Sequence, residues 1–531
     1  MTECQEIRSV ADWRPRHNPW AIAFALTLAT SMALLDLSCV NVALLNIAGN
    51  FGATQHESTW ILTSFILGNA VILPLTDWLA IHFGRKAFYM ACVAVFTASS
   101  LFCGLAPTFA SLVLFRTLQG LSSGGLQAIE QAILADVFPP KKRGMAFALY
   151  GMAIVVAPAF GPTLGGFVTN NYGWRWLFQM NVPLGVMSLA LTSWLVEDPP
   201  YLDRLRSERR DTGIDVPGLA LISLSAGCLQ FALERGQGLA WFSSDLIVVL
   251  LVTAVSAAIT WFVWEWRHRD PVVQVRLFRR PHFTAVMIVT FATNALIVGA
   301  TFIFPEFLQN LLGYPAIIAG KAMMSGGLVI ALAMPLAGAI VGRIDPRGML
   351  VAGLIISAIG FYYISTHLTL TTDFTTACVM RALQMSGVAL IFVPVSTLAY
   401  RGVPKEWNGQ VSTIFNLADY LGSSLGLTLV STYVVRAERA REAYLINHVD
   451  RHEPLVLRLL GKLGALPHSY LGPSMGVHRP LARLALLVRD QAVTLAYSDV
   501  MSAMALVGVC LIPLALFIRT GNDPPSGLQI G

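Results

Sequence analysis

The chain is a succession of apolar stretches, each long enough to cross a bilayer as a helix, separated by short polar loops. One crossing of a hydrocarbon core takes about 20 helical residues. Lipid offers no partner for backbone N–H and C=O groups, so a spanning segment must satisfy them internally, and helices do so. Such stretches begin near Trp20, Thr59, Phe88, Phe109, Gly144, Leu177, Val216, Leu246, Phe283, Ile317, Met349, Thr375, Gln410 and Ala492. Fourteen crossings put both termini on one side. Of the 531 residues 55% are hydrophobic and 12% charged, about half the charge that a water-exposed surface normally carries. The spacing therefore predicts an all-α integral membrane protein, with the bilayer as its first partner.

Charge orients these spans. Lys and Arg recur in alternate loops, at Arg85 and Lys86, Lys141 to Arg143, Arg204 to Arg210, Arg267 to Arg280, Arg343 and Arg347, and Arg401 and Lys405. The intervening short loops lack them, so the basic loops and both termini are expected in the cytoplasm. The stretch 436–490 breaks this pattern and is placed outside by parity. The net charge of +6 is dispersed between spans, which argues against nucleic acid as a partner. The first apolar stretch is too long for a signal peptide and reads as a retained span. The seven cysteines have no metal-ligand spacing, and no metal or cofactor is expected.

A shift of 265 residues aligns Arg116 with Arg381, Gln119 with Gln384, Pro139 with Pro404, Gly144 with Gly409 and Gly161 with Gly426. The chain thus reads as two related six-helix bundles plus two additional helices. The expected division is a cytoplasmic N-terminus (1–19), a first bundle (20–200), two extra helices (201–270), a second bundle (271–518) with an external hairpin (436–490), and a cytoplasmic C-terminus (519–531). Parallel repeats of this kind are built around a substrate site between the halves.

Several polar residues sit where lipid-facing helices would not tolerate them. Asp36 lies mid-span, where a carboxylate is costly unless paired, hydrated or protonated; it is a candidate proton site or a structural hydrogen-bonding group. Arg116 lies roughly 12 Å deep at 1.5 Å per residue and keeps its charge, so it needs an anion or a wet cavity, as coupling residue or as a brace with Gln119. Glu130 and Asp419 are further candidate proton sites, or helix-end residues. Asp77, Gly84, Arg85 and Lys86 form a loop motif that can latch adjacent helix ends or merely set topology. Ala157, Gly161 and Gly165 recur on one face for close helix packing, while Pro158 and Pro162 favour a bend. Phe302, Phe304 and Phe307, and Phe361 to Tyr363, are expected chiefly as packing or lipid-facing rings.

Taken together, Leu35-Asp36…Asn41, Asp77…Gly84-Arg85-Lys86, Arg116-Thr-Leu-Gln119-Gly120, and Gly161-Pro162…Gly165-Gly166 followed by Trp174-Arg175-Trp176…Asn181-Val-Pro183 resemble the major facilitator superfamily. The likeness is to its fourteen-span drug:proton antiporters of the EmrB/QacA type, from about Trp20 to Thr520. Pro158, Gly161, Pro162, Gly165 and Gly166 correspond to that family's antiporter motif, and Arg381 with Gln384 forms the second-half repeat. The resemblance implies a proton-coupled exporter of drugs or other amphipathic compounds in a cell inner membrane, or a dedicated exporter of one metabolite such as a fatty acid or siderophore. It also implies, through 436–490, a periplasmic adaptor and outer-membrane channel as partners. Asp419 and Glu130 depart from the family pattern. No H-E-x-x-H, G-x-S-x-G or Walker sequence occurs, so neither an enzyme nor a self-powered ATP pump is expected. A channel on the same scaffold remains the rival reading.

Overall fold

In the computed structural model, residues 13, 15–210, 215–268, 271–447, 454, 456–458 and 479–518 are described, and helices are their only regular elements. They are α1 (Pro19–Phe51), α2 (Gln55–Ser58), α3 (Trp60–Ile72), α4 (Thr76–Phe83), α5 (Arg85–Leu105), α6 (Phe109–Val137), α7 (Pro140–Tyr172), α8 (Arg175–Gln179), α9 (Asn181–Leu195), α10 (Pro200–Arg210), α11 (Val216–Arg235), α12 (Asp245–Arg267), α13 (Pro281–Asn310), α14 (Ala316–Ile340), α15 (Pro346–His367), α16 (Phe374–Ser386), α17 (Val388–Ala399), α18 (Asn408–Asn447) and α19 (Arg479–Phe517). By length and composition, 11 stretches of the described residues can cross a membrane: α1, α3 with α4, α5, α7, α11 to α15, α16 with α17, and α19. The other three expected spans are α6, α8 with α9, and α18. These carry buried polar groups, among them Arg116, Glu130, Asn181, Asn408 and Gln410, and α8 and α9 are in addition short, at 5 and 15 residues.

The same helix pairs pack in both halves. Helix α1 lies against α7 as α13 lies against α18. Glycines set the distance in each case: a Cβ at Gly161 would sit 2.2 Å from Ser38 Oγ, and one at Gly426 would sit 2.3 Å from the Ala295 backbone. The α3–α6 contact is equally close, with Phe65 O 2.1 Å from where a Gly120 Cβ would be. Small residues replace the hydrophobic effect as the means of helix association in lipid, because they let backbones touch.

Helix α7 runs unbroken through Pro158 and Pro162 and meets α14 across the halves, with Gly144 under Val341 and Gly338 under Met145. On the other flank, α4 and the turn Leu73–Leu75 touch α18, while α11 lies against both α3 and α18. Tyr420 on α18 donates to Ile66 O of α3 at 2.7 Å, and Thr428 on α18 to Leu233 O of α11 at 3.3 Å. An additional helix thus forms part of the seam between the halves. Helix α12 lies outside it, with Val249, Val252, Val255 and Ile259 exposed as a lipid-facing stripe.

The last expected span begins much earlier as a helix, at Arg479 rather than Ala492. At 1.5 Å per residue, the 40 residues of α18 and 39 of α19 each run about 60 Å, twice the hydrocarbon thickness of about 30 Å. Arg441 clasps Asp499 through two bonds of 2.9 Å, tying the two helices together. Of the helically spaced apolar residues in 436–490, Leu484 is buried and Leu487 exposed; Leu455, Leu459 and Leu463 lie outside the described residues, as do most of both terminal segments. Phe304, Phe307 and Phe361 are packed inside, whereas Phe302 and Tyr362 are exposed.

Candidate functional site: a buried ion pair and a latch across the halves

Helix α1 brings Asp36 and α6 brings Arg116 to one point, both at 0% exposure. Arg116 Nη1 donates to Asp36 Oδ2 and, at 2.8 Å, to Gln119 Oε1, and its Nε donates to Ile61 O at 3.2 Å. The guanidinium lies 4.5 Å from the Phe65 ring centroid and 5.7 Å from that of Phe178, so apolar faces exclude water on both sides. Asn181, at the start of α9, donates to Asp36 Oδ1 at 2.7 Å and to Ser100 Oγ at 3.0 Å. The i to i+3 spacing of Arg116 and Gln119 puts both on one helix face. Asn181 stands in a quoted motif, but nothing in the sequence placed it against Asp36.

The Gly-Pro stretch of α7 is seated directly behind this pair. Ser38 Oγ donates to Pro158 O at 3.0 Å, and Cys39 Sγ to Gly161 O at 3.2 Å. A Cβ at Gly165 would lie 2.8 Å from Cys39 Cα, whereas one at Gly166 would meet nothing within 4 Å. Pro162 faces the other way, towards Gly320 of α14. Movement of α7 relative to α1 is thereby coupled to the residues flanking Asp36.

Glu130, one further carboxylate on α6, is fully buried between the hydroxyls of Thr27, at 2.6 Å, and Thr30. It belongs to the α1–α6 interior rather than to a helix end. Asp419 sits half-buried in mid-α18, eleven residues past the start of a helix beginning at Asn408. The two do not share a site with Asp36.

At the end of the bundle that carries the basic loops, Arg85 forms an ion pair with Asp136 of α6, and the Asp77 carboxylate of its own motif adds to the negative charge around it. Tyr201 of α10 donates to the same Asp136 Oδ2 at 2.7 Å, and Asn408 of α18 donates to its Oδ1 at 2.7 Å. Asp77 Oδ2 accepts from Gln410 of α18 at 2.6 Å, and Gln410 also donates to Val272 O at 3.0 Å. The first half supplies two carboxylates and the second half two amides. Gly409 lets them meet, since a Cβ there would fall 1.6 Å from Asp77 Oδ1. Gly84 has φ 93°, and a Cβ on it would lie 2.9 Å from Asp198 Oδ2; only glycine fits this turn. Burial pushes the Asp198 carboxyl above its usual range, offset by the Lys86 N–H bond at 2.8 Å.

Lys86 stands outside the cluster. Its ammonium donates to Ser193 O at 2.7 Å, because successive helical residues point about 100° apart and Arg85 takes the inward direction. Deeper along the same seam, Asn416 donates to Gln131 Oε1 at 2.6 Å, and Tyr150 donates to Asn416 Oδ1 at 3.2 Å. Asp136, Tyr201, Asn408 and Gln410 were missed from the sequence. Polar residues at the ends of apolar spans resemble ordinary helix caps until the fold pairs them.

Hydrogen bonds to charged groups contribute about 1.5–3 kcal/mol each. Replacing Asp136→Asn removes the charge from three of them at once, and one of the three, from Asn408, joins the halves. We expect the latched state to lose at least about tenfold in population, the equivalent of about 1.4 kcal/mol. Spin-label distances between α4 and α18 will report it as a second, longer population at that end. An unchanged single distance would count against the latch.

The description Major Facilitator Superfamily matches residues 26–427 of the chain. The multidrug export protein EmrB of Haemophilus influenzae is 32% identical over 510 residues, covering 96% of each chain. The fatty acid resistance protein FarB of Neisseria gonorrhoeae is 32% identical over 496 residues, covering 93% of this chain and 94% of its own. Among solved structures, the proton:xylose symporter XylE aligns with a TM-score of 0.59 at 15% identity over 94% of this chain and 96% of its own. The human organic anion transporter MFSD10 aligns with a TM-score of 0.61 at 14% identity over 93% and 100%. At those identities the two structures bear on fold alone. With a family match across most of the length, the same packing in both halves and a polar interior between them, this chain belongs to the Major Facilitator Superfamily and is a multi-pass membrane transporter related to the EmrB multidrug exporters.

Proposed function

We propose that the protein is a proton-coupled antiporter that exports drugs or other amphipathic organic compounds across a cell inner membrane by alternating access. The observation carrying this reading is the Asp36–Arg116 pair, an acid and a permanent cation sealed together inside the first half. A proton arriving at Asp36 would neutralise it and release Arg116; re-forming the pair would expel the proton. Asn181 and Gln119 hold the two groups in register. Asp36 also adjoins Ser38 and Cys39, on which α7 rests, so its protonation state biases how α7 and α14 meet. Glu130 and Asp419 are further proton-carrying candidates on this reading.

The Asp136–Asn408 and Asp77–Gln410 bonds act as the gate on the basic-loop side, which we assign to the cytoplasm together with both termini. Gly84 and Arg85 shape that gate, with Lys86 at its edge. The structure is then closed towards the cytoplasm. Expression in a pump-deficient Gram-negative strain tests the function: dye efflux should appear with the chain and vanish when a protonophore collapses the gradient. Efflux that survives the protonophore would reject proton coupling.

The long α18–α19 extension supports a periplasmic adaptor, with an outer-membrane channel beyond it, as partners. Replacing residues 436–490 with a short Gly-Ser linker should leave transport by purified protein in liposomes unchanged while abolishing resistance of intact cells. Loss of liposome transport as well would assign the segment to the transport core instead.

A further inference from the structure

The repeat that places Arg381 opposite Arg116 extends to their partners, and there the halves differ. Arg381 Nη1 donates to Gln384 Oε1 at 2.8 Å, the same bond at the same length as Arg116 to Gln119. Its Nη2 donates to Thr301 Oγ1 at 2.8 Å. Thr301 lies 265 residues after Asp36 and so occupies Asp36's place in the second half. The first half neutralises its arginine with a carboxylate; the second offers a hydroxyl and an amide.

Arg381 is 4% exposed, and its Nε and Gln384 Nε2 are buried without a hydrogen-bond partner; Arg116 Nη2 and Gln119 Nε2 are likewise unpartnered, so what sets the second half apart is the missing carboxylate. Arg85, Arg116, Arg441 and Arg489 each face a carboxylate, whereas among the described residues Arg381 is in no ion pair and is acted on by no neighbouring charge. A guanidinium does not give up its proton, and a buried uncompensated charge costs several kcal/mol. The fold retains that cost at one position where its own symmetry offers a remedy. We infer that Arg381 receives the anionic headgroup of a substrate, a carboxylate on an apolar chain, which supplies in trans the charge that Asp36 supplies in cis.

The surroundings suit such a ligand. Arg381 lies where α13, α14 and α16 meet, with Gly326 of α14 close enough that a Cβ would come 3.0 Å from Arg381 Cγ. The next residue, Gly327, packs that helix on Ala159 of α7, so Arg381 stands one helix from the seam between the halves. Met323 and Met324 are half-buried on the same helix and Met385 is buried one turn beyond Arg381. Methionine side chains adapt to apolar chains of varied shape. Thr301 is itself half-buried, so a headgroup that displaces its hydroxyl reaches Nη2 directly.

This inference rests on the export reading, and the test separates the two. Full-length protein in nanodiscs of zwitterionic lipid is titrated with laurate and, separately, with dodecyltrimethylammonium, a cation of the same chain length. Wild type should bind laurate, and Arg381→Gln should weaken it by about tenfold or more, the loss of one charged hydrogen bond. Thr301→Asp should do the same by giving Arg381 an internal partner, while dodecyltrimethylammonium binding is kept in both variants. That retained binding also reports folding if Arg381→Gln is compromised. Laurate affinity unchanged in Thr301→Asp, or no laurate binding by wild type, would overturn the assignment. Gradient-driven accumulation of a cationic dye is measured in parallel: its absence from a wild type that binds laurate rejects export but leaves the site standing.

Discussion

Substituting Asp36→Asn is expected to abolish gradient-driven transport while leaving the chain folded and inserted. The amide preserves the shape of the carboxylate and still offers one oxygen, to Arg116, while its NH2 takes the place of the oxygen that accepts from Asn181. What disappears is the titratable group and the charge opposite Arg116. Removing one partner of a buried ion pair costs about 3–5 kcal/mol, so some loss of stability is expected, visible as a lower melting temperature. The coupling defect is larger in kind. One pH unit across the membrane stores about 1.4 kcal/mol per proton, enough for about tenfold substrate accumulation at one proton per substrate. Wild type should approach that ratio in liposomes; the variant should only equilibrate, with exchange of labelled for unlabelled substrate retained. Full accumulation by Asp36→Asn at every pH would remove Asp36 from the coupling mechanism.

The second large effect concerns the face on which α7 meets α1. A Gly161 Cβ would lie 2.2 Å from Ser38 Oγ and 2.4 Å from Ser38 Cβ, and a leucine side chain would extend further carbons beyond that point. Overpacking a core that can relax costs about 1–3 kcal/mol. Here the two backbones are already in contact, and the Ser38–Pro158 and Cys39–Gly161 bonds would part when the helices separate. Gly161→Leu should therefore lose all transport and much of its expression. Leu164→Ile lies on a face that is 38% exposed and should behave as wild type. Gly166→Ala should also be tolerated, since nothing lies within 4 Å of its added carbon. Equal behaviour of Gly161→Leu and Leu164→Ile in a dye-efflux assay would refute the packing argument.

The spans were legible because the bilayer imposes a length and a polarity on every crossing, which apolar runs such as Trp20 onward satisfy openly. Asp36 and Arg116 were legible for the opposite reason: charge in such a run is costly and demands a partner. The sequence could not say that the partner of each was the other, since 80 residues separate them. Nor could it say that Asp136 meets Asn408 from 272 residues away. Grouping Lys86 with Arg85 followed sequence adjacency, which on a helix separates side chains rather than joining them. The position of α11 in the seam is tertiary information: its apolar surface fits lipid and protein alike, and only the Tyr420–Ile66 and Thr428–Leu233 contacts of α18 define the seam it completes. The repeat carried further than it was first applied. The offset that pairs Arg116 with Arg381 also pairs Asp36 with Thr301, and with it the exchange of a carboxylate for a hydroxyl.

The most direct test of the central claim is accumulation of a cationic dye by purified protein in sealed liposomes with an acidic interior, recorded together with internal pH. Proton-coupled antiport predicts that dye rises above its external concentration as the lumen alkalinises, and that nigericin abolishes both signals. Dye that merely equilibrates across the membrane, with no movement of protons linked to it, would contradict the account and leave a passive channel on the same scaffold.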